Sequence, residues 1–564
     1  MDFQELEYIP TDYTKLQNEI NDITIKVQNA KTSSELFDQF ERLNQITEEQ
    51  QTAYHLAMIR SYTDVNDTFY SDAFHAESEG LNALNSTQMY GSFLSSPFFA
   101  ALSSRYGKQL ELRFRNRMLR SSVDPALLNT NRRLVMDFHK LRADMRIQYD
   151  NKLQTESEMY TYFSNPSRDV RISCRRALSE AFYAERGRFS AILHELVRVR
   201  NGMAQVAGFD NYLEYRNFYY ERMGYGEQEL TALCQNIQTH ITPVYKEIQN
   251  YQSQMLGIEK VMMYDTSIFF ADGDAAIPTH CKSLSDAVQH VLSYYSPVLT
   301  NFFDKMQSSG YIDIRPSKKK VSGTTFTTDI ITPGGYPFIF GNLKNISKSF
   351  NIVNCGIGTA YASYLIGQKS FPVILRKMVT DAMEIPAKVL ELISADYAEE
   401  LCGSEADKYR YELFCRKIRE IVCFCSYHET ETFLYTHPDA SFSEIADELY
   451  RINAGYDPGH DEGVLQDSHV KETNLMRTIS IYAYPRYSIS LVLAQISAFQ
   501  MYDHIRRDSV FGWKDFDTLC SLGGSRDYMD CLASVGLPTP FAPRTVEHVA
   551  EFAKAELQKL RSKI

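Results

Sequence analysis

Little in this chain of 564 residues breaks a helix: it holds only 26 glycines and 18 prolines, and strand-like alternation is confined to one stretch. That scarcity excludes a β-rich architecture and leaves a mostly α protein. No run of eighteen or more apolar residues occurs, which excludes a membrane-spanning helix on sequence grounds. The opening MDFQELEYIP has neither a basic segment nor an apolar one after it, so no secretory leader is expected. Excess positive charge is missing too. With 59 basic against 71 acidic residues the net charge is −12, which argues against nucleic acid and anionic lipid as partners. Two arginine-rich stretches, Arg113–Arg120 and Arg168–Arg176, are offset by acidic segments and read as solvated helix faces. Ten cysteines scattered along the chain read as reduced thiols in a cytoplasmic protein.

What is present is helical periodicity. Leu16, Ile20, Ile23 and Val27, then Leu36, Phe40 and Leu43, repeat at three- and four-residue spacing within an amphipathic block from Tyr13 to about Glu79. Further helical blocks run over Pro97–Tyr149 and Ser167–Asn201. The segment from Ala204 to Tyr212 ends one helix at Gly208 and opens the next. Between Tyr311 and Gly341 the character changes. Thr324-Thr-Phe-Thr-Thr and Tyr336-Pro-Phe-Ile-Phe are β-rich and separated by Pro333-Gly-Gly, which predicts one small sheet. Helical pattern resumes near Ser349 and is broken only by a polar loop around Asn453–Asp467.

Zinc peptidases of the H-E-x-x-H type place two histidines at i and i+4 on one helix face, where both bind the metal. The glutamate at i+1 activates the metal-bound water, and a third ligand comes from a later helix. No intact H-E-x-x-H occurs here. Tyr427-His-Glu-Thr-Glu-Thr comes nearest and fails, because Thr432 stands where the second histidine is needed. Cys423, Cys425 and His428 bring soft ligands together, but Cys423 and Cys425 point apart on a helix and no second ligand pair follows. Cys355-Gly-Ile-Gly-Thr-Ala-Tyr-Ala-Ser-Tyr-Leu365 is different. It resembles the active-site helix H-E-F-G-H-A-F-H-S-Y-L of the thimet-oligopeptidase-like zinc metallopeptidases, in their oligoendopeptidase F and Pz-peptidase branch, with its reactive positions changed. Gly358, Ala360, Ser363, Tyr364 and Leu365 match that pattern. The first zinc histidine falls on Cys355, the general-base glutamate on Gly356 and the second histidine on Thr359. Asp381-Ala-Met-Glu-Ile-Pro-Ala-Lys-Val-Leu-Glu391 resembles the family's third-ligand segment and puts Glu384 on the ligand position, 29 residues after Cys355.

The resemblance extends along nearly the whole chain. It takes in Ile59–Tyr70, Arg200–Tyr212, Ser322–Phe326 with Pro337–Asn342, Tyr484–Gln495, and the closing Leu522–Ser525 and Gly536–Pro538. Five residues before the proline of the family's P-F-Y-Y segment stands a histidine that helps to stabilise the oxyanion. Ser480 occupies that position here, while Tyr487 keeps one tyrosine of the cluster. Losing a general base costs typically about a hundred- to ten-thousandfold, and losing an oxyanion donor about a hundred- to a thousandfold. Loss of two zinc ligands removes the metal on which both depend.

The resemblance therefore implies an almost all-helical, two-lobed ellipsoid with a deep central cleft and one small sheet. Its parts would be an N-terminal helical lobe over 1–200 and a peptidase-like domain over 201–564, with the degenerate site helix and its partner at 349–395. The implied function is that of a pseudopeptidase, which binds or presents oligopeptides in an internal channel without cutting them. Gly323, Phe326, Tyr484 and Tyr487 are the implied peptide-contacting residues. No cofactor is expected in place of the family's zinc, and Glu384 is the one retained ligand position. An active oligopeptidase with an atypical site is the competing reading. So is a structural partner of an active paralogue; self-association into a homo-oligomer is also open.

Overall fold

The structure is a computed structural model that describes residues 1–277, 283–321, 324–330, 335–343, 346–457, 463–465 and 469–564, and the side chains of all of these but 346–348. It is mostly helical, with two small sheets among the described residues. No helix among them is long and apolar enough to cross a membrane. The chain divides into two compact units. The first takes Met1–Ser122, Ala276–Gly403 and Ser497–Pro538, and the second Val123–Ala275, Ser404–Ile496 and Thr539–Ile564.

In the first unit, the helices Tyr13–Asn29 and Ser33–Thr63 start where side-chain caps allow. Asp12 accepts from the Lys15 amide and Thr32 from the Glu35 amide, satisfying donors that the first turn leaves open. Ile20, Ile23, Val27, Leu36, Phe40 and Leu43 are buried in one core with Phe93 and Phe114, and Leu16 packs at its margin. The predicted periodicity thus maps onto the buried faces. Phe114 is the hub of this core, with ring centroids 5.3 Å from Phe93, 5.7 Å from Phe99 and 6.0 Å from Phe40.

On the helix Gln109–Ser122, which carries Phe114, Arg115 and Arg117 are exposed as the solvated-face reading expects, but Arg113 departs from it. Arg113 is buried, and its Nη2 donates to the Lys377 carbonyl at 2.8 Å. It lies against Gly524, where an added Cβ would sit 2.6 Å from both Arg113 Nη2 and the Lys377 carbonyl. The Leu522-Gly-Gly-Ser motif is therefore bare backbone packed on a buried guanidinium.

The expected sheet also lies in this unit. Strand Phe338–Gly341 is central and buried. It pairs in parallel with Ile312–Asp313 on one side and antiparallel with Thr325–Thr328 on the other, with Phe326 opposite Phe340 and Thr327 opposite Ile339. Buried Lys320 closes one end, donating to the Asp313 carboxylate at 2.5 Å and to the Gly341 carbonyl at 3.1 Å. Ser322, Gly323 and Pro333-Gly334, singled out in the sequence, lie outside the described residues.

Against the sheet runs the helix Ile346–Gly367, which packs on Ile385–Ile393. Their approach is set by Gly358. A Cβ there would stand 2.5 Å from the Pro386 carbonyl oxygen and 2.8 Å from the Ala387 Cα, so only glycine lets the two backbones meet. Asn354 Nδ2 donates to the Leu390 carbonyl at 2.6 Å, a bond that fixes the register of the pair.

In the second unit, the helix Arg186–Val206 ends at Gly208, whose φ of +82° favours glycine. Asn211 then caps Tyr212–Tyr219, the next helix that the sequence opens here, by accepting from the Glu214 amide at 3.0 Å. Asp265 is fully buried between Arg168 and Arg171, each with a contact at 2.7 Å. Arg171 is buried as well, a second departure from the solvated-face reading. A hairpin of Ile147–Tyr149 and Lys152–Gln154 turns at Asp150 and Asn151, both in the left-handed region at φ 52° and 57°. The break expected around Asn453–Asp467 falls partly outside the described residues, and the helix Phe442–Tyr456 carries its first residues, Asn453 to Tyr456.

Replacing Gly358 with alanine adds a methyl group where backbone already lies. The substitution should destabilise by about 2 kcal/mol or more, outweighing the gain of roughly 1 kcal/mol in helix propensity. A lowered midpoint in denaturant unfolding checks this, and an unchanged or raised midpoint would contradict the packing argument.

Candidate functional site

Cys355, Gly356 and Thr359 occupy one turn of the Ile346–Gly367 helix, as their spacing requires. Cys355 and Thr359 are half-buried, and Cys355 is not in a disulfide. The Thr359 hydroxyl turns back on its own helix and donates to the Cys355 carbonyl at 3.4 Å. Gly356 faces the sheet: the Thr327 hydroxyl donates to its carbonyl at 3.3 Å. A Cβ at Gly356 would start 3.3 Å from Thr327 Oγ1 and 3.5 Å from Ile339 Cγ2. The strand thus lies against bare backbone where a general-base side chain would begin. Thr327 is a site neighbour that the sequence did not single out, because the contact spans 29 residues of chain.

Glu384 is half-buried just before the helix Ile385–Ile393, and its carbonyl accepts from the Lys388 amide at 3.1 Å. The Gly358 contact holds this helix start against the turn bearing Cys355 and Thr359. A structural zinc needs four nitrogen, sulfur or oxygen ligands in a tetrahedron, and a catalytic one at least three from the protein. Among the described residues no three His, Cys, Asp or Glu side chains group in a way that could hold a metal ion. The donors at these positions, one thiol, one hydroxyl bonded to its own turn and one carboxylate, do not fit zinc. Cys423, Cys425 and His428 form no such group either. Cys425 is buried beside Cys234, and burial pushes its thiol well up.

The strand Thr325–Thr328 carries Phe326, whose ring stacks on Phe340 at 5.0 Å and meets Tyr62 edge-on at 5.6 Å. Its outer edge has no strand partner among the described residues. Gly323 lies outside the described residues.

Ser480, Tyr484 and Tyr487 belong to the second unit. Ser480 lies in the short helix Ile479–Ala483, and its hydroxyl is buried with no hydrogen-bond partner among the described residues. Tyr484 is 56% exposed. Tyr487 is half-buried, its ring 6.0 Å from that of Tyr220.

Between the two tyrosines stands Arg486, fully buried and in the left-handed region at φ 68°. Such a backbone in a non-glycine residue costs about 1 kcal/mol or more and persists only when its surroundings enforce it. Here the Arg486 amide donates to Glu431 Oε2 at 2.6 Å. Its guanidinium donates to Thr432 Oγ1 at 2.8 Å and to Glu227 Oε1 at 2.5 Å. Arg222 donates to the Arg486 carbonyl at 2.8 Å and to Ser490 Oγ at 3.0 Å. Burial pushes the Glu431 carboxyl up to about 7 against the pull of Arg486, Arg200 and Arg216. Burial, then Arg486 and Arg222, drive His428 well below the ordinary imidazole range. The network fixes the backbone from which Tyr484 and Tyr487 project. Its sequence signal was an arginine inside an otherwise apolar and aromatic motif.

Comparison with known proteins follows the same outline. The description "Peptidase M3 N-terminal domain" matches residues 3–118, and "Peptidase family M3" matches residues 161–551. Among solved structures, Pz peptidase A with inhibitor 2 superposes with a TM-score of 0.89 at 24% identity, covering 99% of each chain. A structure assigned to oligoendopeptidase F gives 0.88 at 25% identity, again over 99% of each chain. One assigned to the same enzyme from Bacillus anthracis gives 0.84 at 23% identity, over 99% of this chain and 98% of that one. No functionally curated protein matches the sequence significantly.

Truncating Arg486 to alanine keeps the amide bond to Glu431 but removes the guanidinium that pairs with Glu227 and bonds Thr432. It should cost about 3–5 kcal/mol, the usual penalty for breaking a buried ion pair from one side. Tyr487→Phe should cost less than about 1.5 kcal/mol, since it removes only a hydroxyl. Denaturant unfolding of the two variants against the parent measures both.

Proposed function

The chain belongs to peptidase family M3, and on that premise we propose that it is a non-hydrolytic member which binds oligopeptides. One observation carries this reading. The helix pair that bears the family's chemistry is intact at Gly358 and Asn354, whereas the turn it positions offers Cys355, Gly356 and Thr359. Gly356 has no side chain to take a proton from water, and Thr327 and Ile339 crowd the space where one would start. The Thr359 hydroxyl is occupied by its own helix, and Ser480 has no imidazole with which to stabilise an oxyanion. A scaffold kept this closely while its reactive groups are replaced fits retention of binding rather than of catalysis.

Binding would use the sheet. The edge strand Thr325–Thr328 is laddered on one side only. An extended peptide can add to such an edge through main-chain hydrogen bonds, which ask little of side-chain identity. Phe326 would supply aromatic surface for its side chains.

Two outcomes are expected. Quenched fluorescent oligopeptides should not be hydrolysed above background, with or without added zinc, manganese or cobalt. Turnover that co-elutes with the protein and is abolished by a chelator would overturn the proposal. Peptides of about five to fifteen residues should nevertheless bind in calorimetric titration. N-methylation of alternate backbone amides should weaken binding by about tenfold or more, because it removes charge-neutral hydrogen bonds worth about 0.5–1.5 kcal/mol each and adds steric conflict. Affinity indifferent to N-methylation would place any peptide away from a strand edge.

A further inference from the structure

The second unit contains a cavity of about 530 Å³ whose walls include Ser480 but none of Cys355, Gly356, Thr359 and Glu384. That volume falls within the range of small-ligand sites, about 300–1,000 Å³. Its walls carry three guanidinium groups, Arg175, Arg419 and Arg477, and one carboxylate, Asp457. They also carry aromatic surface from Phe163 and Tyr427.

Among the described residues no carboxylate pairs closely with Arg175, whereas Arg419, against its burial, is held up by Tyr245, Cys423 and Asp457 nearby. Arg175, on the helix Arg168–Ala184, stacks over Phe163 at 3.7 Å from the ring centroid. Its Nε is buried with no acceptor among the described residues. Arg419 donates to the Thr266 carbonyl at 3.1 Å and to its hydroxyl at 3.0 Å, both neutral acceptors, and its Nε is likewise without a partner. Arg477 reaches Glu156 at 3.4 Å, but Arg142 holds that carboxylate more closely, at 2.7 Å. Asp457 is engaged by the Gln249 amide at 2.5 Å. Ser480 also lines the cavity, with the buried hydroxyl that finds no partner among the described residues.

We propose that this cavity is a binding site for an oxyanion, a carboxylate or phosphate group, carried on a small ligand with an apolar or aromatic body. Guanidinium forks match the planar or tetrahedral oxygens of such groups, and charge-assisted hydrogen bonds are about twice as strong as neutral ones. The Ser480 hydroxyl offers one more donor, and the rings of Phe163 and Tyr427 would cover the remainder of the ligand. Burial, with Arg477 and Arg419 adding, pushes Arg175 down to about 9. A guanidinium keeps its proton in a protein, and a bound anion would offset both the burial and the two neighbouring guanidiniums. The site does not depend on whether the chain cuts or holds peptides elsewhere.

The test uses the full chain and three probes: inorganic phosphate, a short aromatic peptide with a free C-terminal carboxylate, and the same peptide as its amide. Calorimetry and ligand-induced thermal stabilisation are measured on the parent, Arg175→Met, Arg419→Met and Arg175→Lys. Binding of the free-carboxylate peptide but not of its amide, weakened about tenfold or more in both methionine variants, assigns a carboxylate ligand. Binding of phosphate with the same dependence assigns a phosphate-bearing one. Arg175→Lys keeps the charge and should retain part of the affinity. Arg175→Met should also raise the melting temperature of the unliganded protein, because it removes a buried charge with too few partners. The proposal is overturned if no probe binds up to millimolar concentration. It is equally overturned if acid and amide bind alike and the methionine variants leave both unchanged, a result that would leave peptide binding at the strand edge intact.

Discussion

The contact between the Gly358 turn and the backbone of Pro386 and Ala387 is the constraint on which the candidate site depends. Side chains usually keep helices 8–10 Å apart. Here one helix presents no side chain, and the carbonyl of Pro386 enters the gap. That approach fixes where Glu384 stands relative to Cys355 and Thr359. It also presents the opposite face of the same helix, at Gly356, to the central and edge strands of the sheet. Sheet, helix and partner helix therefore form a stack whose spacings are set by two glycines on one helix. The side chains at Cys355 and Thr359 are not what sets these spacings.

Arg486 plays the corresponding part in the second unit by the opposite means. Where Gly358 works through the absence of atoms, Arg486 fills its space and is bonded at the amide, the carbonyl and the guanidinium at once. Its left-handed backbone is enforced by these bonds together. Both devices hold a short functional segment rigid through contacts that lie beneath it.

Much of this was legible in the sequence where the signal was local. The buried stripe Ile20, Ile23, Val27, the helix break at Gly208, and the strands at Thr325–Thr328 and Phe338–Gly341 all follow from spacing or turn chemistry within a dozen residues. The family motif placed Cys355, Gly356 and Thr359 on one turn. What escaped was decided by distant partners. Arg113 and Arg171 sit in charged stretches that look solvated, and only the Lys377 carbonyl and Asp265, far along the chain, explain their burial. Thr327 touches Gly356 because two elements fold together, not because of anything in its neighbours. The hairpin at Ile147–Gln154 was missed for another reason: strands of three residues are too short to show alternation, and Asp150-Asn151 was its one cue.

The one-sided ladder of the strand Thr325–Thr328 has a kinetic meaning. In a peptidase each encounter on such an edge ends when the bound chain is cut and its halves fall away. On the proposed reading, with no scissile step, the edge would empty only as fast as its occupant lets go. Residence time would then replace turnover as the quantity under selection, and the strength of a few main-chain bonds would set how long a captured segment stays out of solution.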